Sequence, residues 1–467
     1  MNIGLIIAYG EIIGIVVAVT LAAVVGIGVV LSRPKYPAFV LLGVLFFFSA
    51  STWGVREFER TIYDRGTGQF TFSFVNLYLW GMALVIALAS QFRRTPVPTC
   101  DATRFFWLFN LVFAAHVIVG LATNIRFDDT VSPHGVLNIL NMSVLIFVLL
   151  RAFDNRRDLD DLIKLFMVSA FARGIFGLAR FAFFGGDPAN VYANYEKIAI
   201  KLTFFDINDG LIATIAAFYA AWRLAWDGKT MKLSGKWFYG LLLVVEILVV
   251  VLSYRRTEIG GFALAALLFI ILQPKATRLR YLMIGSVVCA IGLAVIVTGR
   301  LQQVRGARGG IVEALLPDLF GEKSGDVSSG RFGELIMAFD TIRDHWLFGA
   351  GTWAEFRGGV ISYHFGVYDF VHSGIVHIWL KTGLVGLVLF LGGLLSHIVF
   401  VHAKRGLIEP GRRAFFEAGF AGFLFSIPNL LIGTPIIEFR TMLLFGLVLA
   451  IPYLVYHSRM QTAGAQP

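Results

Sequence analysis

The sequence has few charged residues and almost no cysteine, and both shortages narrow the class of protein. Asp, Glu, Lys and Arg make up 15% of the 467 residues, whereas soluble globular domains have roughly a quarter. Hydrophobic residues reach 57%, and the mean hydropathy is +0.75. Cys100 lies near a loop edge and Cys289 inside an apolar run, so neither is placed for a disulfide. The composition excludes an ordinary soluble domain and predicts a multi-span membrane protein.

Familiar signals of other functions are also missing. A glycine-rich phosphate loop followed by lysine does not occur, which argues against chemistry driven by ATP. The net charge of +10 is spread over many loops without an aromatic-interleaved patch, so nucleic acid is not an expected partner. The sequence shows no internal repeat and no separate soluble domain. Its start lacks a basic segment and a small-residue cleavage site, so the first apolar run is expected to be a retained span.

Long apolar runs dominate what is present. Most are about 17 to 25 residues long, enough for a helix to cross a hydrocarbon core of roughly 30 Å. They lack the alternation of barrel strands. The predicted fold is all-α, a polytopic transmembrane helix bundle of about 12–13 spans. The spans are predicted near 11–31, 37–53, 72–92, 104–121, 135–151, 162–184, 202–222, 237–253, 258–273, 281–299, 374–400, 414–433 and 441–457.

Basic residues indicate the orientation. Lys and Arg are concentrated in the loops of one side, which the positive-inside rule assigns to the cytoplasm. The amino terminus and the loop 300–372 are then expected outside. We divide the chain into N-terminal transmembrane helices (1–236), a core that includes this outward loop (237–402) and C-terminal transmembrane helices (403–467).

The outward loop 300–372 is the longest polar stretch of the chain. A loop of this length between apolar segments is functional or disordered in most proteins. The apolar residues Leu335, Ile336, Phe339, Ile342 and Trp346 recur at helical spacing. We therefore predict a packed amphipathic helix within an ordered cap.

Adjacent arginines mark the turn between two predicted spans. Arg255 and Arg256 must both lie at the membrane surface, where like charges repel unless an anion lies between them. One interpretation is an ion pair with Glu258 and interfacial snorkelling. The other is a diphosphate clamp, because guanidinium groups bind phosphate oxygens in a bidentate manner.

Two further arginines fall inside the sixth predicted span. Arg173 and Arg180 are seven residues apart and share a helical face. For Arg173 we expect a buried ion pair with an acid such as Glu246. Arg180 lies nearer the outer end, and we expect it to contact substrate.

His372 lies where the outward loop re-enters the membrane. A neutral imidazole there can take a proton from an attacking hydroxyl. A single interfacial histidine is more often structural, so that interpretation stays open. Asp369 is the expected partner that orients the ring. His372 and His377 are five residues apart and do not share a helical face, so the spacing does not favour a metal site.

These segments resemble the O-antigen ligase and O-antigen (exopolysaccharide) polymerase superfamily of bacterial membrane proteins. The resemblance covers about 245–395 and is carried by SYRRTEIGG, by SSGRFGELIMAFDTIRDHWLFGAGTWAEF, and by His372 followed by two glycines. The positions that match its pattern are Gly330, Arg331, Asp344, His345, Gly349, Gly351, His372, Gly383 and Gly386. Ser373 stands where the family often has asparagine, and the arginine turn reads Tyr-Arg-Arg rather than Ser-Arg.

The resemblance implies an enzyme of the bacterial inner membrane that acts at its periplasmic face. Such enzymes transfer glycans from undecaprenyl diphosphate with inversion, without a metal, cofactor or nucleotide sugar. His372 would be the base, Arg256 and Arg180 would hold the diphosphate, and Arg255 and Arg331 are further candidates.

The acceptor distinguishes two enzymatic alternatives. A polymerase, which we favour for the long outward loop and many spans, extends a glycan repeat unit, and a chain-length regulator is a possible partner. A ligase transfers the glycan to lipid A core or a protein. A glycolipid transporter or flippase is a third alternative, but it predicts duplicated halves that the sequence lacks.

Overall fold

The structure is a computed structural model, and part of the chain is described in it. The described residues are 25–48, 63, 71–93, 100–186, 205–253, 255–303, 331–361 and 364–463. The predicted first span, the start of the outward loop and Tyr254 therefore lie wholly or partly outside the described residues.

Helices account for most of the described chain. Their bounds are α1 Lys35–Phe47, α2 Phe74–Arg93, α3 Asp101–Ala122, α4 Leu137–Ala152, α5 Arg156–Phe183, α6 Ile207–Trp222, α7 Leu233–Leu252, α8 Arg256–Leu272, α9 Lys275–Gln303, α10 Arg331–Asp344, α11 Gly374–Lys404, α12 Pro410–Ile432 and α13 Phe439–Ala463. An antiparallel hairpin, β1 Phe356–Ile361 and β2 His364–Tyr368, lies between α10 and α11. The all-α polytopic class is confirmed, and the hairpin is a local addition that the sequence did not predict.

Fewer helices of the described residues have the length and composition of a membrane span than the 12–13 predicted for the whole chain. Among the described residues, 7 helices are long and apolar enough to cross a bilayer, or up to 8 if the bent pair Val25–Ser32 and Lys35–Phe47 forms one span. Each predicted span from residue 37 onward coincides with a helix. However, α4 and α6 have 16 residues, just below the range of about 17–25 for a span, and α8 has 17, at its lower limit. Apolar runs thus located the helices of the described residues, and 7 or 8 of these helices meet the length and composition of a full span.

Helix α12 organises the carboxy-terminal half of the bundle. It packs against α6, α8 and α13, and glycines allow the close approach. A Cβ on Gly261 of α8 would lie 2.3 Å from the Phe425 carbonyl oxygen of α12. This contact places the beginning of α8 beside the end of α12, so Arg256 lies at the same end of the bundle as Ile432.

A cap covers that end of the bundle. It consists of α10, the hairpin and the first turns of α11, and we call this end the cap side. Its small core contains Ala338, Ile342, Phe356, Val371 and Leu380. The predicted amphipathic helix is present, but its buried side differs from the prediction. Of the five predicted apolar contacts, Ile336, Phe339 and Trp346 are exposed, because the small Ala338 and the acidic Glu334 occupy the buried side instead.

Basic residues gather at the opposite end. The amino-terminal ends of α1, α5 and α12 meet there, and their charges pair between helices. Lys35 contacts Asp158, and an Arg412 Nη2 lies 2.9 Å from an Asp160 carboxylate oxygen. The loops with the most Lys and Arg therefore share one side, as their sequence distribution predicts.

Candidate active site

The cap is joined to the bundle through a break in α11. Gly383 has a φ of 67° inside this helix, a conformation that favours glycine. The broken turn exposes backbone N–H groups, and the turn after α10 accepts from them. Leu384 N–H donates to the Trp346 carbonyl at 2.8 Å, and Val385 N–H donates to the Leu347 carbonyl at 3.1 Å.

Two glycines make this joint possible. A Cβ on Gly383 would lie 2.3 Å from the Leu347 carbonyl oxygen, and one on Gly349, which has a φ of 81°, would lie 2.5 Å from the Gly383 nitrogen. Both glycines belong to the segments that carry the family resemblance. Their separation in sequence hides the fact that they pack backbone to backbone.

His372 is held by a buried glutamate. Its Nδ1 lies 2.9 Å from Oε2 and 3.1 Å from Oε1 of Glu334, and its backbone N–H donates to Oε1 at 3.1 Å. The Glu334 side chain is 2% exposed and the His372 side chain 28%. With Nδ1–H donating to the carboxylate, the neutral ring carries its lone pair on Nε2. This is the arrangement of a histidine oriented for proton transfer.

The expected partner of His372 was wrong. Asp369 contacts His134 Nδ1 instead, and that hydrogen bond lowers the pKa of Asp369. Residues 369–372 are not helical, so the spacing of three does not place the two side chains on one face. The Phe370 ring lies between the two histidines, 5.8 Å from the His134 ring and 5.4 Å from the His372 ring.

Arg331 reaches the same neighbourhood from the beginning of α10. Its Nη1 donates to the Ile432 carbonyl at the end of α12 at 2.8 Å. Gly374, two residues after His372, lies against the same turn, because its Cβ would be 3.1 Å from the Leu430 carbonyl oxygen. Arg331 and His372 therefore converge where α12 ends.

The arginine turn lies on the cap side, as its contact with α12 shows. Arg255 precedes α8, and its Nε is 3.6 Å from Oε1 of Glu258, whose side chain is 0% exposed. This contact matches the ion-pair interpretation of Arg255. Arg256 is the first residue of α8 and is exposed.

Arg180 lies near the end of α5 on the cap side. Its Nε donates to the Gly186 carbonyl at 3.0 Å, which ties the guanidinium to the end of its own helix. Gly177, one turn earlier, packs against Phe205 just before α6. Arg331 thus bonds to α12 and Glu334 to His372, whereas the bond from Arg180 to Gly186 lies within the end of its own helix.

Arg173 forms the buried pair that was expected, but with a different acid. Its Nε lies 2.6 Å from Oδ1 of Asp209, and its Nη1 donates to the Phe47 carbonyl at 2.9 Å. Asp209 also accepts from Arg440, which in turn contacts Asp206 at 3.1 Å. Glu246 was therefore the wrong partner.

The sequence did not point to this cluster of two arginines and two aspartates. Asp206 and Asp209 cap the beginning of α6, each accepting a backbone N–H, and so their carboxylates are already fixed there. Arg440 Nε also donates to the Leu45 carbonyl at 2.8 Å. The cluster ties the ends of α1, α5, α6 and α13 together on the cap side. The Asp-x-x-Asp spacing of a capping box was the available signal.

Histidines and acids do not assemble into a metal centre in the described residues, where no group of three or more is placed to hold an ion. His377 is buried, and its Nε2 lies 3.1 Å from the Gly135 carbonyl. This contact joins α11 to the loop before α4, a structural use of the ring.

Comparison with known families adds an independent observation. Residues 240–391 match the family described as O-Antigen ligase. A search of curated proteins finds no match. The matched range contains the arginine turn, the cap, the paired glycines, Glu334 and His372. The match over residues 240–391 supports the resemblance of this part of the chain to the O-antigen ligase and polymerase superfamily.

Proposed function

We propose that this protein is an inverting, metal-independent glycosyltransferase that polymerises O-antigen or exopolysaccharide repeat units carried on undecaprenyl diphosphate. The observation that carries the proposal is the Glu334–His372 pair, a buried carboxylate that orients a partly exposed imidazole, inside the matched region. The family match supports a glycosyltransferase-type membrane enzyme, and the pair supplies a base for it.

The reaction follows from the positions of the charged groups. The acceptor hydroxyl attacks the anomeric carbon, and its proton passes to His372 Nε2 as the new C–O bond forms. The bond to the diphosphate breaks, and the diphosphate leaves with the bonding electrons. Arginines stabilise the negative charge that develops on it. Arg331 and Arg256 are the proposed first ligands of the diphosphate, with Arg255 and Arg180 as further ligands.

Arg331 is well suited to this role. It uses Nη1 on the Ile432 carbonyl, and a guanidinium has five N–H donors in a fixed fork. A carbonyl neutralises no charge, so this contact leaves the guanidinium cation available to an anion. Because Arg331 and Glu334 are three residues apart on α10, they share one helical face.

A ligase reaction is the second candidate, because the matched family is described as O-Antigen ligase. Purified protein in nanodiscs should be given a lipid-linked repeat unit alone, and then with lipid A core. A ladder of products from the repeat unit alone supports polymerisation. A single transferred product that needs lipid A core supports ligation. Release of neither product, with the donor intact, would refute glycosyl transfer and leave the transporter alternative.

We also propose that the cap side faces the periplasm and the opposite side the cytoplasm, because the basic loops lie on the opposite side. Exposed positions on the two sides are Arg343 in α10 and Lys229 after α6. With Cys289 replaced by serine, Arg343→Cys should react with an impermeant thiol reagent in cells with a permeabilised outer membrane. Lys229→Cys should react only after lysis. The reverse pattern would invert the topology.

A further inference from the structure

Three neighbouring side chains on the cap are large, apolar and exposed. Trp346, Leu347 and Phe348 are 52%, 36% and 65% exposed, and we call them the apolar triplet. Just before them, the side chains of Arg343 and Asp344 are 79% and 70% exposed. The surface therefore changes from charged to apolar within a few residues at the end of α10. Three consecutive exposed residues of this kind in water need an explanation.

The backbone of the triplet is already satisfied by a helix that crosses the membrane. The Trp346 and Leu347 carbonyls accept from the broken turn of α11, and Trp379 Nε1 donates to the Trp346 carbonyl at 3.0 Å. Just after the triplet, Ala350 N–H donates to the Leu380 carbonyl at 2.9 Å. Non-helical backbone can enter a bilayer only when its polar groups are paired in this way. The pairing therefore permits the triplet to lie at membrane depth.

The length of α11 gives an estimate of that depth. Its 31 residues correspond to about 46 Å, compared with roughly 30 Å for the hydrocarbon core. Its far end carries Lys404, which lies over the Tyr456 ring and marks the opposite surface. A span of about 20 residues that ends at the last apolar turn of α11 begins near Leu380. The break at Gly383 thus lies near the hydrocarbon boundary on the cap side.

Neighbouring helices support the same placement. Below the break, Val388, Leu391 and Leu395 of α11 are exposed, as expected of a surface in contact with lipid. The His116 ring of the spanning helix α3 lies 6.3 Å from the ring of Trp353, five residues after Phe348. The triplet is therefore bonded to a spanning helix whose next turns are apolar and exposed, and α3 lies against the same part of the cap.

We propose that Trp346, Leu347 and Phe348 insert into the cap-side interface of the bilayer and anchor the cap there. Tryptophan is enriched at this boundary, and Leu347 and Phe348 would contact the first methylene groups of the acyl chains, next to the headgroups. The anchor lies at the end of α10, the helix that also carries Glu334. The lipid surface thereby holds the helix that orients His372. This inference does not depend on the reaction that the site performs.

Spin labels in the full chain, reconstituted in nanodiscs, test the insertion. In a Cys100→Ala, Cys289→Ser background, nitroxides are attached at Phe348→Cys, at Arg343→Cys as the water control, and at Leu391→Cys as the lipid control. Collision rates with oxygen and with a water-soluble nickel chelate are measured. We expect the label at 348 to resemble that at 391, with a severalfold higher oxygen-to-nickel ratio than at 343. A label at 348 as accessible to nickel as that at 343, or shielded from both reagents, would overturn the proposal.

A second measurement uses the unsubstituted chain, so a variant that misfolds does not decide the result. Nanodiscs containing a lipid with a photoactivatable group on its acyl chain are irradiated, and the adducts are mapped by mass spectrometry. Adducts on 346–348 together with 388–395 support insertion. Adducts on 388–395 without any on 346–348 would contradict it.

Discussion

Replacing Glu334 by glutamine tests the proposed base without removing it. The carboxylate accepts from both the backbone N–H and the Nδ1–H of His372, whereas an amide has one oxygen. In Glu334→Gln, an amide oxygen in the place of Oε1 would still lie 3.1 Å from both donors, but the negative charge and the 2.9 Å bond from Nδ1 to Oε2 are lost. A hydrogen bond to a charged group contributes about 1.5–3 kcal/mol, which corresponds to a rate loss of about 10-fold to 150-fold.

The contribution of His372 sets an upper limit on the rate loss expected for Glu334→Gln. A positioned general base contributes about 100-fold to 10,000-fold, so His372→Gln should be at least as slow as Glu334→Gln. If the two residues act as one unit, the double variant should be no slower than His372→Gln alone. Initial rates with a lipid-linked oligosaccharide, read from gels at matched protein levels in nanodiscs, measure this. KM for the donor should change little, because in the proposed mechanism the arginines bind the diphosphate.

Asp369→Asn is the matched control. It removes the same charge three residues from His372 in sequence, but its partner is His134. We expect a rate within roughly 2-fold of the unsubstituted protein, the range of substitutions away from a site. A Glu334→Gln variant that is as active as this control, or losses that multiply in the Glu334–His372 double variant, would refute the coupling.

Three further predictions concern residues around the site. Arg256→Lys should lose most activity while it retains expression, because a point charge cannot make two parallel bonds to phosphate oxygens; near-normal polymer in complemented cells would assign Arg256 to interfacial anchoring. Asp209→Asn should destabilise the protein by about 3–5 kcal/mol, because it leaves the Arg173 and Arg440 guanidiniums buried without their shared carboxylate, and an unchanged melting temperature would contradict this. Gly383→Ala should lower the melting temperature strongly, because its Cβ would meet the Leu347 carbonyl oxygen, whereas Gly285→Ala, with 3.7 Å to its nearest contact, should not.

The sequence predicted the parts of this fold that depend on local patterns. Apolar runs located the helices from residue 37 onward, because a helix in an apolar medium must satisfy its own backbone. The break in α11 could not be predicted in this way. Gly383 adopts its unusual φ only because the turn at Gly349, 34 positions earlier, supplies carbonyl groups to the broken helix. Neither glycine alone predicts the break, because the break requires both segments to be in contact.

Partners of charged residues were the least predictable feature. Asp369 is close to His372 in sequence, yet Glu334, 38 positions away, holds the ring. Likewise, Asp209 rather than Glu246 binds Arg173. The capping box at the beginning of α6 holds the Asp209 carboxylate on the cap side of the bundle, where Arg173 reaches it. Which acid pairs with a given arginine or histidine depends on tertiary packing. Sequence showed that partners were needed, because unpaired charges are costly in this environment, but it did not show which residues they were.

Burial separates the arginines of this protein into two classes with different chemistry. Arg173 and Arg440 are 5% and 6% exposed in their side chains and already contact carboxylates, so an added phosphate would have to compete with a buried acid. Arg331 is partly exposed, and its Nη1 donates to the neutral carbonyl of Ile432. An anion therefore gains more from Arg331, even though all three guanidiniums carry the same charge. Because Arg331 shares α10 with Glu334, the proposed mechanism takes both its cation for the leaving group and the orientation of its base from one helix, and displacement of that helix would disable both.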